Sequence, residues 1–155
     1  MLYGLVLING ATRQAARNST VEGADTATAD TMVRNVVRTA LPGATVSLTR
    51  TTYADFSDIG RAEKFTDSNA NGTCDRGEPY TDENGNGHWD ADIGVSGNGT
   101  ADSVVVYKAT AQYRPLFRIP FMPNQWSSFT LGATAVRKNQ PWATQTAYGT
   151  ATGTC

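Results

Sequence analysis

The sequence predicts an α+β domain in which N-terminal helices precede a small antiparallel sheet that a polar segment interrupts. The clearest helical signal lies in residues 25–41, where apolar side chains recur with the i, i+3, i+4, i+7 spacing of one helix face. Strand signals follow at residues 45–49, 102–114 and 128–137. Between the first two of these strands lies a Gly-, Asn- and Asp-rich stretch that shows neither the spacing of a helix nor the alternation of a strand.

Two helices are expected at the N-terminal end. Residues 2–18 place apolar and alanine side chains on one broad face, although Gly10 weakens the middle of this helix. In the second helix, Asp25 or Thr28 can serve as the N-cap, and Pro42-Gly43 ends the helix. The apolar positions of the second helix are Ala29, Met32, Val33, Val36, Val37, Ala40 and Leu41.

The strands alternate side chains between two faces. Val46 and Leu48 alternate with Ser and Thr in the first strand, and four apolar side chains share a face of the last strand. Residues 115–126 contain three prolines and many large apolar groups, so an irregular loop is expected there. The Thr- and Gly-rich tail, residues 143–155, is expected to be flexible unless its terminal cysteine anchors it. The four apolar residues of the last strand are Phe129, Leu131, Ala133 and Ala135.

Composition limits the possible classes of protein. A chain of 155 residues is long enough for one buried core. Charged residues make up 17% of the chain and the net charge is −1. Because the 13 Lys and Arg residues are scattered rather than clustered, no nucleic-acid partner is expected. The apolar opening MLYGLVLI is too short to span a bilayer, and an export signal would have to lie upstream of Met1.

Residues 67–78 carry the spacing of a calcium-binding loop. Counting Asp67 as position 1 of a twelve-residue loop places oxygen-bearing residues at alternate positions and a carboxylate at position 12. Gly72 falls at position 6, where such a loop turns sharply. The predicted ligands of this first loop are Asp67, Asn69, Asn71, Thr73, Asp75 and Glu78.

Residues 82–93 repeat the pattern as a second loop. The predicted ligands are Asp82, Asn84, Asn86, His88 and Asp90, with His88 offering its backbone carbonyl at position 7. Position 12 is Ile93, which has no side-chain oxygen. The last ligand is therefore expected to come from Asp92, from water, or from a neighbouring residue such as Glu78. One or two calcium ions are expected in total.

The two loops resemble EF-hand loops, but no helices flank them. Pro79 follows the first loop directly, and the connection to the second loop is too short for a helix. The arrangement is more similar to the tandem DxNxNGxxDxxE loops of secreted bacterial proteins and thrombospondin-type repeats. That resemblance implies that calcium stabilises the fold and does not act as a signal. Millimolar calcium outside cells then favours an extracellular location at a bacterial cell surface.

Two cysteines are present, Cys74 inside the first loop and Cys155 at the end of the chain. In an exported protein they are expected to form a disulfide that ties the tail to the loops. The alternative is a pair of free thiols in a reducing compartment. Because the bridge encloses a long loop, it would stabilise the fold by roughly 4 kcal/mol in the chain-entropy model.

Three stretches resemble the TadE-like proteins of tight-adherence pili. These are residues 2–23, with an alanine-rich pattern from Ala11 through Arg17, and the strand segments VVVYKATAQYRPLF and FTLGATAVRKNQPW. The resemblance implies an exported pseudopilin that takes part in pilus assembly, with other pilus-assembly proteins as partners. The chain departs from that family's pattern because it lacks the upstream hydrophobic helix and carries the calcium loops.

These observations together predict a calcium-binding, pilin-like structural subunit that polymerises with copies of itself into an extracellular filament. Residues 1–24 would form an apolar assembly segment, and residues 25–155 a single α+β domain containing the insert, residues 65–95. The alternative is a monomeric, secreted or membrane-tethered adhesion or assembly module. An enzyme is not expected, because no catalytic constellation can be built around the single histidine, His88. The residues predicted to drive assembly are Leu2, Leu5, Val6, Leu7 and Ile8.

Overall fold

The α+β class is confirmed by a computed structural model, which describes residues 2–18, 26–114, 128–140 and 147–155. Helix α1 spans Leu2–Asn18 and helix α2 spans Thr26–Ala40. Thr28 lies inside α2 and does not cap it, while Asp25 lies outside the described residues. The helix ends at the predicted Pro42-Gly43, where Gly43 has a φ of +82° that suits glycine.

The main sheet has four antiparallel strands in the order β3–β1–β4–β5. The long strands β1 (Thr45–Tyr53), β4 (Val104–Tyr113) and β5 (Phe129–Lys138) match the three predicted strands. Strand β3 (Val95–Ser96) is a short edge strand. Since β1 and β4 are neighbours in the sheet, the insert is a long excursion between two paired strands. The proline-rich stretch, residues 115–126, lies outside the described residues.

The two helices cover one face of this sheet. Alternate residues of β4, namely Tyr107, Ala109 and Ala111, share a buried cluster with residues of α1, α2 and β5. Most members of this cluster are alanines and valines, which allow helix and sheet to approach closely. Tyr107, its largest member, donates from its hydroxyl to Oδ1 of Asp30 on α2 at 2.9 Å. The helical members of the cluster are Ile8, Ala11, Ala15, Ala16, Ala29, Val33 and Val37.

The insert covers part of the opposite face. Val104 and Val106 alternate with Tyr107 along β4, and they pack in a second cluster with Ile93 of the second loop and Tyr53 of β1. The insert is therefore attached to the sheet by apolar contacts at one end of β1 and β4. We call the helices and the four-stranded sheet the body of the molecule.

A second, two-stranded sheet holds the insert to the tail. Strand β2 (Pro79–Asp82) connects the two loops, and β6 (Ala151–Thr154) pairs with it antiparallel. A single turn of 3₁₀ helix, Phe56–Asp58, follows β1. None of the helices in the described part of the chain combines the length and hydropathy needed to cross a membrane.

Candidate metal centre

Asp67 opens the first loop and organises its backbone. Its two carboxylate oxygens accept hydrogen bonds from the backbone N–H groups of Asn71 at 3.1 Å and Gly72 at 2.7 Å. The side-chain oxygens of Asn69 and Asn71 accept further bonds from the N–H groups of Asn71 and Thr73, at 3.1 and 2.8 Å. These bonds wrap the chain around the side chains at positions 1, 3 and 5 of the loop.

Asp75 and Glu78 complete the set of hydrogen-bonded side chains in the first loop, which we call the ring of that loop. The amide nitrogens of Asn69 and Asn71 both donate to Oδ2 of Asp75, each at 2.7 Å. Glu78 uses one oxygen to accept from the N–H of Ser68 at 2.7 Å and the other to accept from the N–H of Asp75 at 2.9 Å. Rotating an asparagine side-chain amide by 180° exchanges its nitrogen and oxygen. Asn69 and Asn71 can therefore also direct their oxygens towards the position beside Asp75. Five of the six predicted ligands of the first loop thus take part in hydrogen bonds within the loop through their side chains, whereas Thr73 takes part through its backbone N–H.

The second loop repeats this geometry almost bond for bond. Asp82 accepts from the N–H groups of Asn86 at 3.1 Å and Gly87 at 2.9 Å. The amide nitrogens of Asn84 and Asn86 donate to Oδ2 of Asp90 at 2.7 and 2.5 Å. The N–H of the exposed His88 donates to Oδ1 of Asn86 at 2.8 Å, as Thr73 does in the first loop.

Left-handed backbone conformations occur at the same two positions of both loops. Gly72 and Gly87, at position 6, have φ values of +77° and +82°. At position 4 the second loop has Gly85 with a φ of +78°, whereas the first loop has Ala70 with a φ of +58°. Of these four residues, Ala70 alone has a Cβ atom, which makes the left-handed conformation sterically unfavourable.

The end of the second loop differs from the first and does not bring Asp92 to the ring. The hydroxyl of Tyr53 donates to one oxygen of Asp92 at 3.0 Å, and the N–H of Gly94 donates to the other at 3.1 Å. Burial, the hydrogen bond to Asp92 and its negative charge raise the pKa of Tyr53 to about 12. Ile93, at position 12, is buried against Tyr53 and Val104. The last two residues of the loop thus contact the body.

Glu63 supplies the carboxylate found beside the second loop. One of its oxygens accepts from the N–H groups of Glu83 at 2.7 Å and Asn84 at 3.1 Å, and the other accepts from the N–H of Asp90 at 3.1 Å. Sequence reasoning missed this residue because it precedes both loops and lies outside the predicted insert.

A signal for Glu63 does exist in the sequence. Residues 63–75 and 78–90 form an internal repeat with an offset of 15 positions, in which Glu63 corresponds to Glu78. Asp67 corresponds to Asp82 and Asp75 to Asp90 in the same alignment. Aligning the repeats from the glutamate, and not from the first aspartate, would have identified Glu63 as the counterpart of Glu78.

An ion pair supports the second loop from outside. Arg61 donates to both oxygens of Glu83, at 3.1 and 2.8 Å, and through Nε to Asp58 at 2.9 Å. The hydrogen bonds from Arg61 lower the pKa of Glu83 despite its burial. Burial raises the pKa of Asp58, but hydrogen bonds from Arg61 and from the hydroxyl of Tyr148 outweigh this and lower it. The side chain of Glu83 is therefore paired with Arg61 and is not part of the ring.

The disulfide joins the tail to the first loop. Cys74 is bonded to Cys155, and their Cα atoms lie 5.9 Å apart. Beside the bridge, the N–H of Gly77 donates to the carbonyl of Cys155 at 2.9 Å, and the N–H of Cys155 donates to the carbonyl of Glu78 at 3.0 Å. The tail thus continues the two-stranded sheet up to the position-12 residue of the first loop.

The region of the loops carries an excess of negative charge. Residues 63–92 contain eight acidic side chains against two basic ones, a net charge of −6 in a chain whose total is −1. Glu63, Glu78 and Asp82 are buried, and no ion pair to any of the three is found among the described residues. Backbone N–H groups donate to all three carboxylates, so hydrogen bonds and not ion pairs compensate for their burial in this structure.

The chemistry of the donors fits calcium. Within the described residues, no group of three or more His, Cys, Asp or Glu side chains that could hold a metal ion is found. A metal ion at either loop therefore also needs amide and backbone carbonyl oxygens, which are ordinary calcium ligands. Zinc prefers nitrogen and sulfur ligands, and both cysteines are held in the disulfide. The left-handed glycine at position 6 and the oxygen-bearing side chains at positions 1, 3, 5 and 9 are features that such a calcium loop requires.

The predicted assembly residues are divided between the surface and the core. Val6 exposes 67% of its surface and Leu5 exposes 39%, and the neighbouring Tyr3, which was not predicted to drive assembly, exposes 71%. Leu7 is half-buried, whereas Ile8 is 1% exposed and belongs to the core of the body. The side chain of Leu2 lies outside the described residues. The exposed side chains of Tyr3, Leu5 and Val6 are called the α1 patch below.

Comparisons of the chain with protein-family models, with curated proteins and with solved structures find no match. The likeness to TadE-like proteins and to tandem calcium loops therefore rests on the motifs themselves.

Proposed function

We propose that this protein is an exported, calcium-stabilised structural subunit of pilin-like type that self-assembles into an extracellular filament. The observation that carries the proposal is the pair of loops, in which two copies of one oxygen-rich ring are built with matching hydrogen bonds. Asp67, Asp75 and Glu78 would hold one ion, and Asp82 and Asp90 would take part in holding the other. Each ion would neutralise buried or half-buried carboxylates and lock the loop conformation.

The extracellular location is supported by chemistry of two kinds. The disulfide between Cys74 and Cys155 belongs to an oxidising compartment. Loops that use calcium to stabilise a fold need the millimolar concentrations found outside cells. Both features lie in the same segment, because Cys74 is a residue of the first loop.

Assembly is supported by the α1 patch. Large apolar side chains that are exposed together on a helix mark a surface that binds another apolar surface. The patch lies beside Leu7 and Ile8, which are partly or fully covered by the body. A neighbouring subunit could therefore cover the patch without displacing α1 from its own core.

A specific observation also favours the alternative, a monomeric adhesion or assembly module. Helix α1 contributes Ile8, Ala11, Ala15 and Ala16 to the core of the body. A helix that completes its own fold in this way is not free to be donated to a neighbour as a strand. The filament then depends on the outward face of α1 alone.

Negative-stain electron microscopy of the purified protein, in millimolar calcium and in chelator, tests the two candidates. We expect filaments in calcium and their loss in chelator. The Val6→Asp variant should prevent filaments while keeping the calcium-dependent rise in melting temperature, because Val6 is exposed on α1. The double variant Asp67→Ala, Asp82→Ala should behave in calcium like the chelated protein.

A matched control is Phe56→Asp, which also places a charge on an exposed apolar residue, but far from α1 in sequence, in the 3₁₀ turn. This variant should still form filaments. Monodisperse particles under all conditions would replace the filament with the monomeric module. A melting temperature that does not respond to calcium would refute calcium as the stabilising ion.

A further inference from the structure

The second loop lacks the residue that normally completes a calcium site. In twelve-residue loops, a glutamate at position 12 contributes two oxygens to the ion. In the second loop this position is Ile93, whose side chain is buried in an apolar cluster with Tyr53 and Val104. Asp92 is engaged with Tyr53 and Gly94. A complete site in the second loop therefore needs a carboxylate from elsewhere in the chain.

Glu63 stands in the same relation to the second loop as Glu78 does to the first. Glu78 accepts from the N–H groups at positions 2 and 9 of the first loop, those of Ser68 and Asp75, at 2.7 and 2.9 Å. Glu63 accepts from positions 2 and 9 of the second loop, those of Glu83 and Asp90, at 2.7 and 3.1 Å.

The backbone of the two glutamates matches as well. The N–H of Glu63 donates to the carbonyl of Asp90, and that of Glu78 donates to the carbonyl of Asp75, both at 2.9 Å. Each glutamate thus accepts hydrogen bonds from positions 2 and 9 of its loop through its side chain, and donates its backbone N–H to the carbonyl at position 9.

The charge of Glu63 is also consistent with a bound cation. Its side chain is almost completely buried, with 1% of its surface exposed. The groups that donate to it are neutral backbone N–H groups, and no basic side chain in the described part of the chain forms an ion pair with it. The neighbouring Glu83, by contrast, is paired with Arg61. A buried carboxylate that is held by backbone N–H groups and has no basic side chain beside it is compatible with a cation in the loop.

We infer that Glu63 is the carboxylate ligand that closes a second calcium site, so that each repeat closes the loop of the other. In the 15-residue repeat, Glu78 opens the second copy and closes the first loop, while Glu63 opens the first copy and closes the second loop. This inference rests on the proposed calcium binding and assigns the ligand that the second site lacks.

The chain segments that carry the two glutamates are paired, which explains how the exchange arises. Phe65 and Tyr80 form an antiparallel bridge, the N–H of Thr66 donates to the carbonyl of Pro79 at 2.9 Å, and that of Thr81 donates to the carbonyl of Lys64 at 2.8 Å. This short ladder places the start of each repeat beside the loop of the other.

Isothermal titration calorimetry of Glu63→Gln tests the assignment. Glutamine keeps one oxygen that can accept backbone N–H bonds but loses the negative charge and the second carboxylate oxygen. Glu63→Gln should lose one ion, or weaken it by about 100-fold or more, because calcium affinity follows the charge and number of ligands. Glu83→Gln is the matched control, since it removes a buried charge next to Asp82 without removing a proposed ligand, and it should keep both ions.

Nuclear magnetic resonance assigns the lost ion to a loop. The N–H of Gly72 donates to Asp67 and that of Gly87 donates to Asp82, so each amide signal reports on its own loop. In Glu63→Gln, the Gly87 signal should stop responding at calcium concentrations that still saturate Gly72. Glu78→Gln should show the reverse, with Gly72 losing its response first.

The outcomes separate this inference from the proposed function. Two ions in the unaltered protein and unchanged binding in Glu63→Gln would overturn the role of Glu63 and leave calcium binding intact. A single ion that survives in Glu63→Gln and is lost in Glu78→Gln would also overturn it. No ion in the unaltered protein would remove both proposals together. A loss confined to the Gly87 response would establish the exchange.

Discussion

The body and the insert are stabilised by different interactions. In the body, Ile8, Val33 and Tyr107 pack in an apolar cluster with the small side chains of two helices and two strands. In the insert, Asp67, Asp82 and their neighbours hold the chain through side-chain to backbone hydrogen bonds. Because hydrophobic burial is not directional, the body needs only apolar side chains of the right size. The insert, by contrast, needs a hydrogen-bond acceptor at each particular position of its loops, because hydrogen bonds are directional.

The distribution of charge also differs between the body and the insert. Residues 63–92 carry a net charge of −6, so the rest of the chain carries +5 to reach the total of −1. The body places its charged groups at the edge of its core, as in the Asp30, Arg50 and Tyr107 cluster. The region of the loops instead buries two carboxylates, that of Glu78 in the first loop and that of Glu63 beside the second. The difference teaches that apolar packing holds the body, whereas the insert is held by hydrogen bonds, a disulfide and, in our proposal, ions.

The largest expected effect on this comparison comes from removing the disulfide. Replacing both Cys74 and Cys155 with serine frees a loop with a sequence separation of 81 residues and should lower the free energy of unfolding by about 4 kcal/mol. Hydrogen exchange should become faster in β2 and β6, which the bridge holds together, and should change little in β4 and β5. Equal acceleration in both sheets would show that the insert and the body unfold as one unit.

A smaller loss is expected from Ile8→Ala in the body. Ile8 is buried in the main core, so truncation should cost about 3 kcal/mol through lost burial and the cavity left behind. Val6→Ala is the matched control on the same helix, and because Val6 is exposed its cost should stay within about 0.5 kcal/mol. Urea unfolding measures both. Equal costs would mean that α1 does not pack on the body and serves assembly alone.

The smallest effect is expected at position 4 of the loops. Ala70 has a φ of +58°, and Ala70→Gly relieves this strain while adding freedom to the unfolded chain, for a net gain below about 1 kcal/mol. Gly85→Ala makes the reverse change at the equivalent position of the second loop, where an added Cβ meets no atom within 4 Å. It should cost about 1 kcal/mol from backbone strain alone. Thermal unfolding of the two variants should shift in opposite directions, and a shift in the same direction would contradict the equivalence of the loops.

Much of the body could be predicted from the sequence. The helical period of residues 25–41 became α2, and Pro42-Gly43 ended it as expected. The alternating strands were found within one or two residues at most of their ends, except that β1 runs on to Tyr53. These features depend on neighbours in the sequence, because the period of apolar side chains reflects the local conformation.

The candidate site could be predicted only in part. Asp67 to Glu78 and Asp82 to Asp90 were identified by spacing, because a ligand loop is a local structure whose positions can be counted. The separation of Ile8 from the exposed α1 patch could not be predicted, since both belong to one apolar run and only packing against the sheet distinguishes them. Strand β6 was missed because its Thr- and Gly-rich sequence has little strand character before β2 pairs with it.

The sequence by itself determined the α+β order of elements, the position of both loops and the two cysteines that can pair. Each follows from residues that are close along the chain or, for the cysteines, from the absence of any other partner. Tertiary structure alone decided that Glu63 lies beside the second loop and that Ile93, at position 12, is buried against Tyr53 and Val104. Residue 63 reaches residue 83 only because Phe65 and Tyr80 pair across two repeats. Such long-range pairing depends on burial and backbone hydrogen bonds that no local pattern records.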